Sequence, residues 1–351
     1  MAEAGVNHNE DMELARRLVR AGAEAGVDAV KFQTFRPEKL VTQSAEKAAY
    51  QKVTTGKQES QLEMLQKLTL LDKDYVELQQ LCQDCGVDFI STSFDSESLH
   101  FLTNGLDMPF IKVTSREITN APFLLEIAQT QKPIVLSTGM ATLGEIEQAL
   151  AVLAYGYLHE DFPADFQVVQ QAYVSVDGQD ILREKVQLLH CTTQYPAPPS
   201  QANLKAMETM AQAFGLSVGY SDHTEGITIP VAAVARVAVI IEKHFTLDKD
   251  MPGPDHKASL EPNELKAMVQ AIRTVEQSIG TGIKIPAADE VPNIPIVRKS
   301  LVAAKNIEAG EIFTLDNLTV KRAGRGISPM DIWYILGESA RHAYKEDEKI
   351  K

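Results

Sequence analysis

The chain has 351 residues, 44% of them hydrophobic and 23% charged, with a formal net charge of −14. That balance is ordinary for a folded protein with a sizeable core, the length leaves room for roughly two domains, and the acidity argues against nucleic acid or an anionic membrane as partner. The longest apolar run, Ile227 to Ile241, is interrupted by Pro230 and Arg236 and falls short of the ~18 residues that cross a bilayer.

The first residues, Met1 followed by Ala-Glu-Ala-Gly, resemble the end of a strand whose apolar first half is missing. From there strand-like apolar runs alternate with helical periodicity over the first 280 residues, the pattern of a parallel α/β protein. Strands are predicted at Ala2–Ala4, Ala29–Gln33, Asp88–Thr92, Phe110–Thr114, Ile134–Ser137, Val186–Cys191, Ser217–Ser221 and Val239–His244. Eight strand-then-helix units of this length predict a closed TIM-type (β/α)8 barrel. Thr142 with Glu145 has the spacing of a capping box, and Gly26 and Gly86 are placed to end helices. The polar stretch from Thr34 to Leu71 is expected to hold one short helix, and Tyr155 to Glu184 is expected to be a surface insertion. The division is a barrel over 1–282, a Gly- and Pro-rich linker over 283–296 and a small β-rich unit over 297–351, with strands near Ser300–Ala304 and Leu318–Arg322.

Catalytic groups of such a barrel sit where strands end. Every unit supplies polar residues there. The first ends in Glu3, Asn7 and His8, the second in Lys31 and Gln33, and the third in Ser91 and Thr92. The fourth carries Lys112, Ser115 and Glu117, the fifth Ser137 and Thr138, and the sixth Thr192, Thr193 and Tyr195. Ser221, Asp222 and His223 end the seventh, and Glu242, Lys243 and His244 the eighth. Two lysines among hydroxyls suit a ligand bearing phosphate and carboxylate; the bland alternative is that each lysine is ion-paired to a barrel carboxylate such as Glu3 or Glu117. His223 and His244, at successive strand ends, are the metal candidates, with coordination positions left open for water or substrate. Cys82 and Cys85 lie within a helical stretch, and Cys191 ends a strand. Three scattered cysteines make no disulfide framework, which points to a reducing cytoplasm.

Several segments together resemble the sialic acid synthase family. They are Ala2-Glu-Ala-Gly-Val-Asn-His-Asn9, Ala29-Val-Lys-Phe-Gln-Thr34, Gln61-Leu-Glu-Met64 and Leu136-Ser-Thr-Gly-Met-Ala-Thr142. His190-Cys-Thr-Thr-Gln-Tyr-Pro196, Gly219-Tyr-Ser-Asp-His-Thr224, Glu242-Lys-His-Phe-Thr246, Pro252-Gly-Pro-Asp-His-Lys-Ala-Ser259 and Lys321-Arg-Ala-Gly-Arg-Gly-Ile-Ser-Pro329 extend the match over nearly the whole chain. The resemblance implies condensation of phosphoenolpyruvate with N-acetylmannosamine, or a related 2-acetamido sugar, and water to give a nonulosonic acid and phosphate. It implies a divalent metal held by His223 and His244, Mn2+ first, with Mg2+ or Co2+ as alternatives. Lys31, Thr92, Lys112, Ser115, Ser137, Thr193 and Ser221 then bind phosphoenolpyruvate, and Glu3, Gln33, Tyr195 and Asp255 contact the sugar. The C-terminal unit is similar to antifreeze-like (SAF) domains, implying a swapped homodimer in which the partner subunit delivers the equivalent of Arg322. Lys112, Glu3 and Glu117 form the expected catalytic set, with Glu117, a strand-end carboxylate beside the lysines, guiding the water.

Arg116, Ser93, Ala323 and Glu10 depart from the family's usual residues at their positions, and none replaces a lysine or a candidate ligand. Three other readings are open at this level. One is a condensing enzyme that makes octulosonate or heptulosonate phosphates, which would need a second phosphate site and no C-terminal unit. The others are a carbohydrate-binding homologue without turnover and a metal-dependent pyruvate aldolase.

Overall fold

The computed structural model describes residues 1–47 and 60–351. The chain divides into two compact units, Met1–Gly280 and Thr281–Lys351. In the first, eight parallel strands close into a barrel in chain order: β1 (Ala2–Gly5), β2 (Ala29–Thr34), β3 (Asp88–Ser93), β4 (Ile111–Val113), β5 (Ile134–Ser137), β6 (Val186–Cys191), β7 (Val218–Asp222) and β8 (Ile241–His244). The short first strand completes the ring. Ala2 and Glu3 pair with Lys243 and His244 of β8, and Glu3 also lies opposite Lys31 of β2.

Strand alternation sorts the side chains. Ile111 and Val113 join an apolar cluster while Lys112, between them, faces the barrel interior. On β7 and β8, Ser221 and His223 point inward with Glu242 and His244, whereas Asp222 and Lys243 point the other way. The outer faces of the strands are covered by helices whose packing builds two large clusters, one around Leu136, Leu150 and Leu188 and the other around Leu18, Phe32 and Phe245.

Helix boundaries follow the local chemistry. Thr142 and Glu145 form the capping box that opens Leu143–Leu158. Gly26, at φ +84°, closes Met12–Ala25 in the left-handed conformation a β-carbon disfavours. Two expectations need correction. Tyr155–Glu184 is mostly helical, with Phe166–Val174 burying Val169 and Ala172, about one helical period apart, and Val176–Lys185 burying Leu182. Thr34–Leu71 holds two short helices among the described residues, Pro37–Leu40 and Gln61–Gln66; residues 48–59 lie outside them. No helix among the described residues is long and apolar enough to cross a membrane.

In the second unit β9 (Ser300–Ala303) and β10 (Leu318–Lys321) form an antiparallel pair. Leu301, Ala303, Ile307, Phe313, Leu318 and Tyr344 make its core.

Candidate active site

A cavity of about 400 Å³ opens where the barrel strands end. Its floor is a buried charge cluster. Glu242 accepts a hydrogen bond from Ser221 Oγ at 2.7 Å through Oε1. Its Oε2 faces Lys31 Nζ at 3.6 Å and Lys112 Nζ at 3.8 Å and receives no hydrogen bond. Lys112 donates to Ser137 Oγ at 2.6 Å and to the Val113 carbonyl at 3.1 Å. Lys31 donates to Thr92 Oγ1 at 3.2 Å and is ion-paired to Glu3, which also accepts from Gln33 Nε2 at 3.0 Å.

Burial raises every carboxyl here, and the lysines decide which one stays charged. It pulls the Glu242 carboxyl upward, but Lys112 and Lys31 overcome it and hold the group well below the usual carboxylate range. Burial lifts Glu3 to about 7 against the pull of Lys31. Lys112 is lowered by burial, with Lys31 adding to the effect and Glu242 opposing it. The floor therefore sets two lysines against one firmly ionised carboxylate, Glu242, and one carboxyl that titrates near neutrality, Glu3, and Asp255 and Glu46 also line it. The paired-lysine reading thus holds for both: Lys31 pairs with Glu3 and Glu242, and Lys112 with Glu242 rather than Glu117.

Above the floor on the β6–β8 side stand two imidazoles, their ring centroids 5.5 Å apart. His223 Nδ1 donates to the Thr192 carbonyl at 2.5 Å, which fixes the tautomer and leaves Nε2 with its lone pair. His244 Nδ1 is buried without a hydrogen bond, 3.9 Å from Asp255 Oδ2. Burial lowers His223 to about 4, and burial with the neighbouring His223 lowers His244 further still, so both rings are neutral at neutral pH. Tyr195 packs against both, at 4.1 Å from His223 and 5.6 Å from His244 between centroids.

A family model described as the NeuB family matches residues 18–284, and an SAF domain model matches residues 298–351. The chain belongs to the NeuB family. It is 50% identical over 351 residues to the N,N'-diacetyllegionaminic acid synthase of Campylobacter jejuni, covering 100% of this chain and 98% of that protein. The protein of the same name from Legionella pneumophila is 42% identical over 337 residues, covering 96% of this chain and 88% of that one. Among solved structures, the N-acetylneuraminic acid synthetase of Leptospira borgpetersenii in complex with citrate superimposes with a TM-score of 0.66 at 29% identity, covering 84% of this chain and 88% of that one.

On this NeuB-family barrel the cavity gathers most of the residues expected from sequence. Glu3, Lys31, Gln33, Thr92, Lys112, Ser115, Ser137, Thr193, Tyr195, Ser221, His223, His244 and Asp255 all line it. Ser115 is held by the backbone N–H of Gly139 at 2.8 Å. A β-carbon on Gly139 would lie 2.9 Å from both Ser115 Oγ and Thr193 Cγ2, so the loop after β5 can approach only as glycine.

Two expected residues are elsewhere. Glu117 closes a short 3-10 turn, Ser115–Glu117, that rotates it off the cavity lining. Its carboxylate accepts from Asn120 Nδ2 at 2.7 Å instead. Arg322 is exposed in the second unit, just past β10. Glu242, by contrast, lies at the centre of the floor and was not expected as a site residue. Its signal was the alternation Glu242-x-His244, which places the carboxylate on the same strand face as a candidate ligand.

A second cavity, of about 210 Å³, lies at the opposite ends of the strands, lined mostly by apolar residues such as Val27, Val234, Ile241 and Met268. Its charged lining residues include Asp28, Arg273 and Glu276, and Arg273 is ion-paired to the other two.

Proposed function

We propose that this NeuB-family chain condenses phosphoenolpyruvate with a 2,4-diacetamido-trideoxy hexose of the legionaminic acid type, giving a nine-carbon sugar acid and phosphate. The identity to two synthases named for N,N'-diacetyllegionaminic acid supports this acceptor over N-acetylmannosamine. The observation that carries the reading is the floor: two buried ammonium groups and four hydroxyls, from Thr92, Ser115, Ser137 and Ser221, around a carboxylate oxygen with no hydrogen bond, all open to one cavity. Phosphate and carboxylate of phosphoenolpyruvate would replace the lysines' present partners with charge-assisted hydrogen bonds.

His223 and His244 fit a divalent ion, most simply Mn2+, because both imidazoles are neutral, adjacent and open to the cavity. Among the described residues no group of three or more His, Cys, Asp or Glu side chains gathers for a metal, so water or substrate oxygens would fill the other positions. When bound, the ion supplies Lewis-acid polarisation of the acceptor aldehyde.

The chain's own residues then do the rest. Lys31, Lys112 and the hydroxyls hold the enol ester so that its C3 can bond to the aldehyde carbon, a gain of proximity and orientation. As that bond forms, C2 takes on oxocarbenium character. Glu242, kept ionised by Lys112 and Lys31, stabilises the cation and orients the water that adds to C2, and the proton this water gives up balances the one taken by the alkoxide formed from the aldehyde oxygen. The resulting hemiketal phosphate expels phosphate, and the ketone of the product remains. Glu242 takes the water-guiding part first expected of Glu117, which does not reach the cavity. Glu3, Gln33, Tyr195 and Asp255 contact the acceptor. The second unit, like other SAF domains by resemblance, would cap a partner's barrel in a homodimer and bring Arg322 to it.

The test is phosphate release from phosphoenolpyruvate in the presence of Mn2+ with three acceptors side by side: 2,4-diacetamido-2,4,6-trideoxymannose, the altrose-configured isomer that leads to pseudaminic acid, and N-acetylmannosamine. Release with the first, matched by an equal amount of nonulosonic acid, is expected. Absence of phosphate release with all three contradicts the proposal.

A further inference from the structure

The cavity has a second face that the chemistry above does not use. Its lining includes Val6, Phe35, Leu40, Met64, Leu65, Leu68 and Phe94. All but Leu40 are buried, and together they form a separate apolar cluster, with Leu40 packed against it. The cluster draws on the tips of β1, β2 and β3 and on the helices Pro37–Leu40 and Gln61–Gln66.

Strand alternation explains where it sits. Lys31, Gln33 and Phe35 follow one another at intervals of two along β2 and just beyond it, so they climb one face from floor to mouth. Thr92 and Phe94 do the same on β3, in register with Gln33. The ladder runs from ammonium to amide to aromatic ring. A ligand held at the floor by its anionic, reacting end therefore has an apolar surface at the mouth on the β1–β3 side, facing Tyr195, His223 and His244 across it.

We infer that this wall is the specificity surface for the acceptor, taking the C6 methyl group and an acetamido methyl of a deoxy sugar and disfavouring an acceptor that carries a hydroxyl at C6. The inference rests on the function proposed above and names the part of that site that selects among acceptors. The cluster itself carries no polar side chain to replace the water lost by a C6 hydroxyl; Glu46, Gln61 and Arg116, the last 5.2 Å over the Phe94 ring, line the same cavity around it. An apolar surface rejects an added hydroxyl only moderately, by about 100-fold at most.

The test compares kcat/KM for 2,4-diacetamido-2,4,6-trideoxymannose with that for N-acetylmannosamine in the full-length enzyme and in Met64→Gln, Leu40→Asn and Met64→Leu. The wild type is expected to prefer the trideoxy sugar by about 10- to 100-fold. Met64→Gln and Leu40→Asn lower that ratio about fivefold or more while the KM for phosphoenolpyruvate moves less than about twofold, and Met64→Leu retains the ratio. Leu40, only partly buried, is the variant least exposed to folding failure. Turnover with an unchanged ratio in both polar variants overturns the inference alone, whereas a wild type that prefers N-acetylmannosamine overturns the inference and the proposed acceptor together. Failure to release phosphate with any acceptor overturns the function and the inference together.

Discussion

Two buried lysine–carboxylate groups meet at β8, one on each of its faces, and they differ in how their hydrogen bonding is completed. Lys243 donates to Asp222 Oδ2 at 2.6 Å and to the Thr224 carbonyl, while Asp222 Oδ1 accepts from Thr224 N at 3.2 Å and Thr224 Oγ1 at 3.0 Å. That group is closed: its bonds are made locally and it does not line the cavity. Lys31, Lys112 and Glu242 are just as buried, yet Glu242 Oε2 receives no hydrogen bond and all three face open space. Burial and charge alone do not separate a structural pair from a reactive one. Unfinished hydrogen bonding beside a cavity does, because a group left incomplete inside a protein is costly unless a ligand completes it.

The sharpest break of this comparison is Lys112→Met, which should reduce kcat/KM for phosphoenolpyruvate by about 10²–10³-fold, the usual cost of losing one donor to developing or transferred charge. Steady-state phosphate release under saturating acceptor measures it. His244→Gln should weaken Mn2+ binding by at least about 100-fold, since even second-shell partners of ligating histidines are worth 10–100-fold; calorimetric titration with Mn2+ reads it without turnover. Gly139→Ala, which drives a methyl group against Ser115 and Thr193, should raise the KM for phosphoenolpyruvate about tenfold through a clash of about 1–3 kcal/mol. Lys243→Met should do the opposite of Lys112→Met: it leaves Asp222 buried and unpaired, costing about 3–5 kcal/mol in urea unfolding, while the folded enzyme turns over within about threefold of wild type. Glu117→Gln should change kcat/KM least, within about twofold, because its carboxylate touches Asn120 and not the cavity. Loss of turnover in that variant, with phosphoenolpyruvate still bound, would return the water-guiding part to Glu117.

Most of the barrel was legible in the sequence because strand alternation writes itself into residue order. Ile111-Lys112-Val113 and Ser221-Asp222-His223 each encode an inside and an outside, and the structure keeps both. Legibility failed where the strand ended. Glu117 lies beyond β4, in a 3-10 turn whose rotation no periodicity announces. The helices of Tyr155–Glu184 are obscured by polar residues, although Val169 and Ala172 carry the spacing of the first. Glu242 stands among the strand-end polar residues in the sequence, but only the fold sets it between Lys31 and Lys112 and so apart from its neighbours. The apolar wall was missed for a related reason. Phe35 and Phe94 continue the alternation that placed Gln33 and Thr92 in the cavity, but past the strand ends they looked like ordinary core.

The difference between the open and the closed cluster is tested most directly by titrating phosphoenolpyruvate into wild type, Lys112→Met and Lys243→Met by calorimetry, each confirmed folded by circular dichroism. Binding preserved in Lys243→Met and lost in Lys112→Met is the expected result. Equal binding by both variants would contradict the assignment of the open cluster as the anion site.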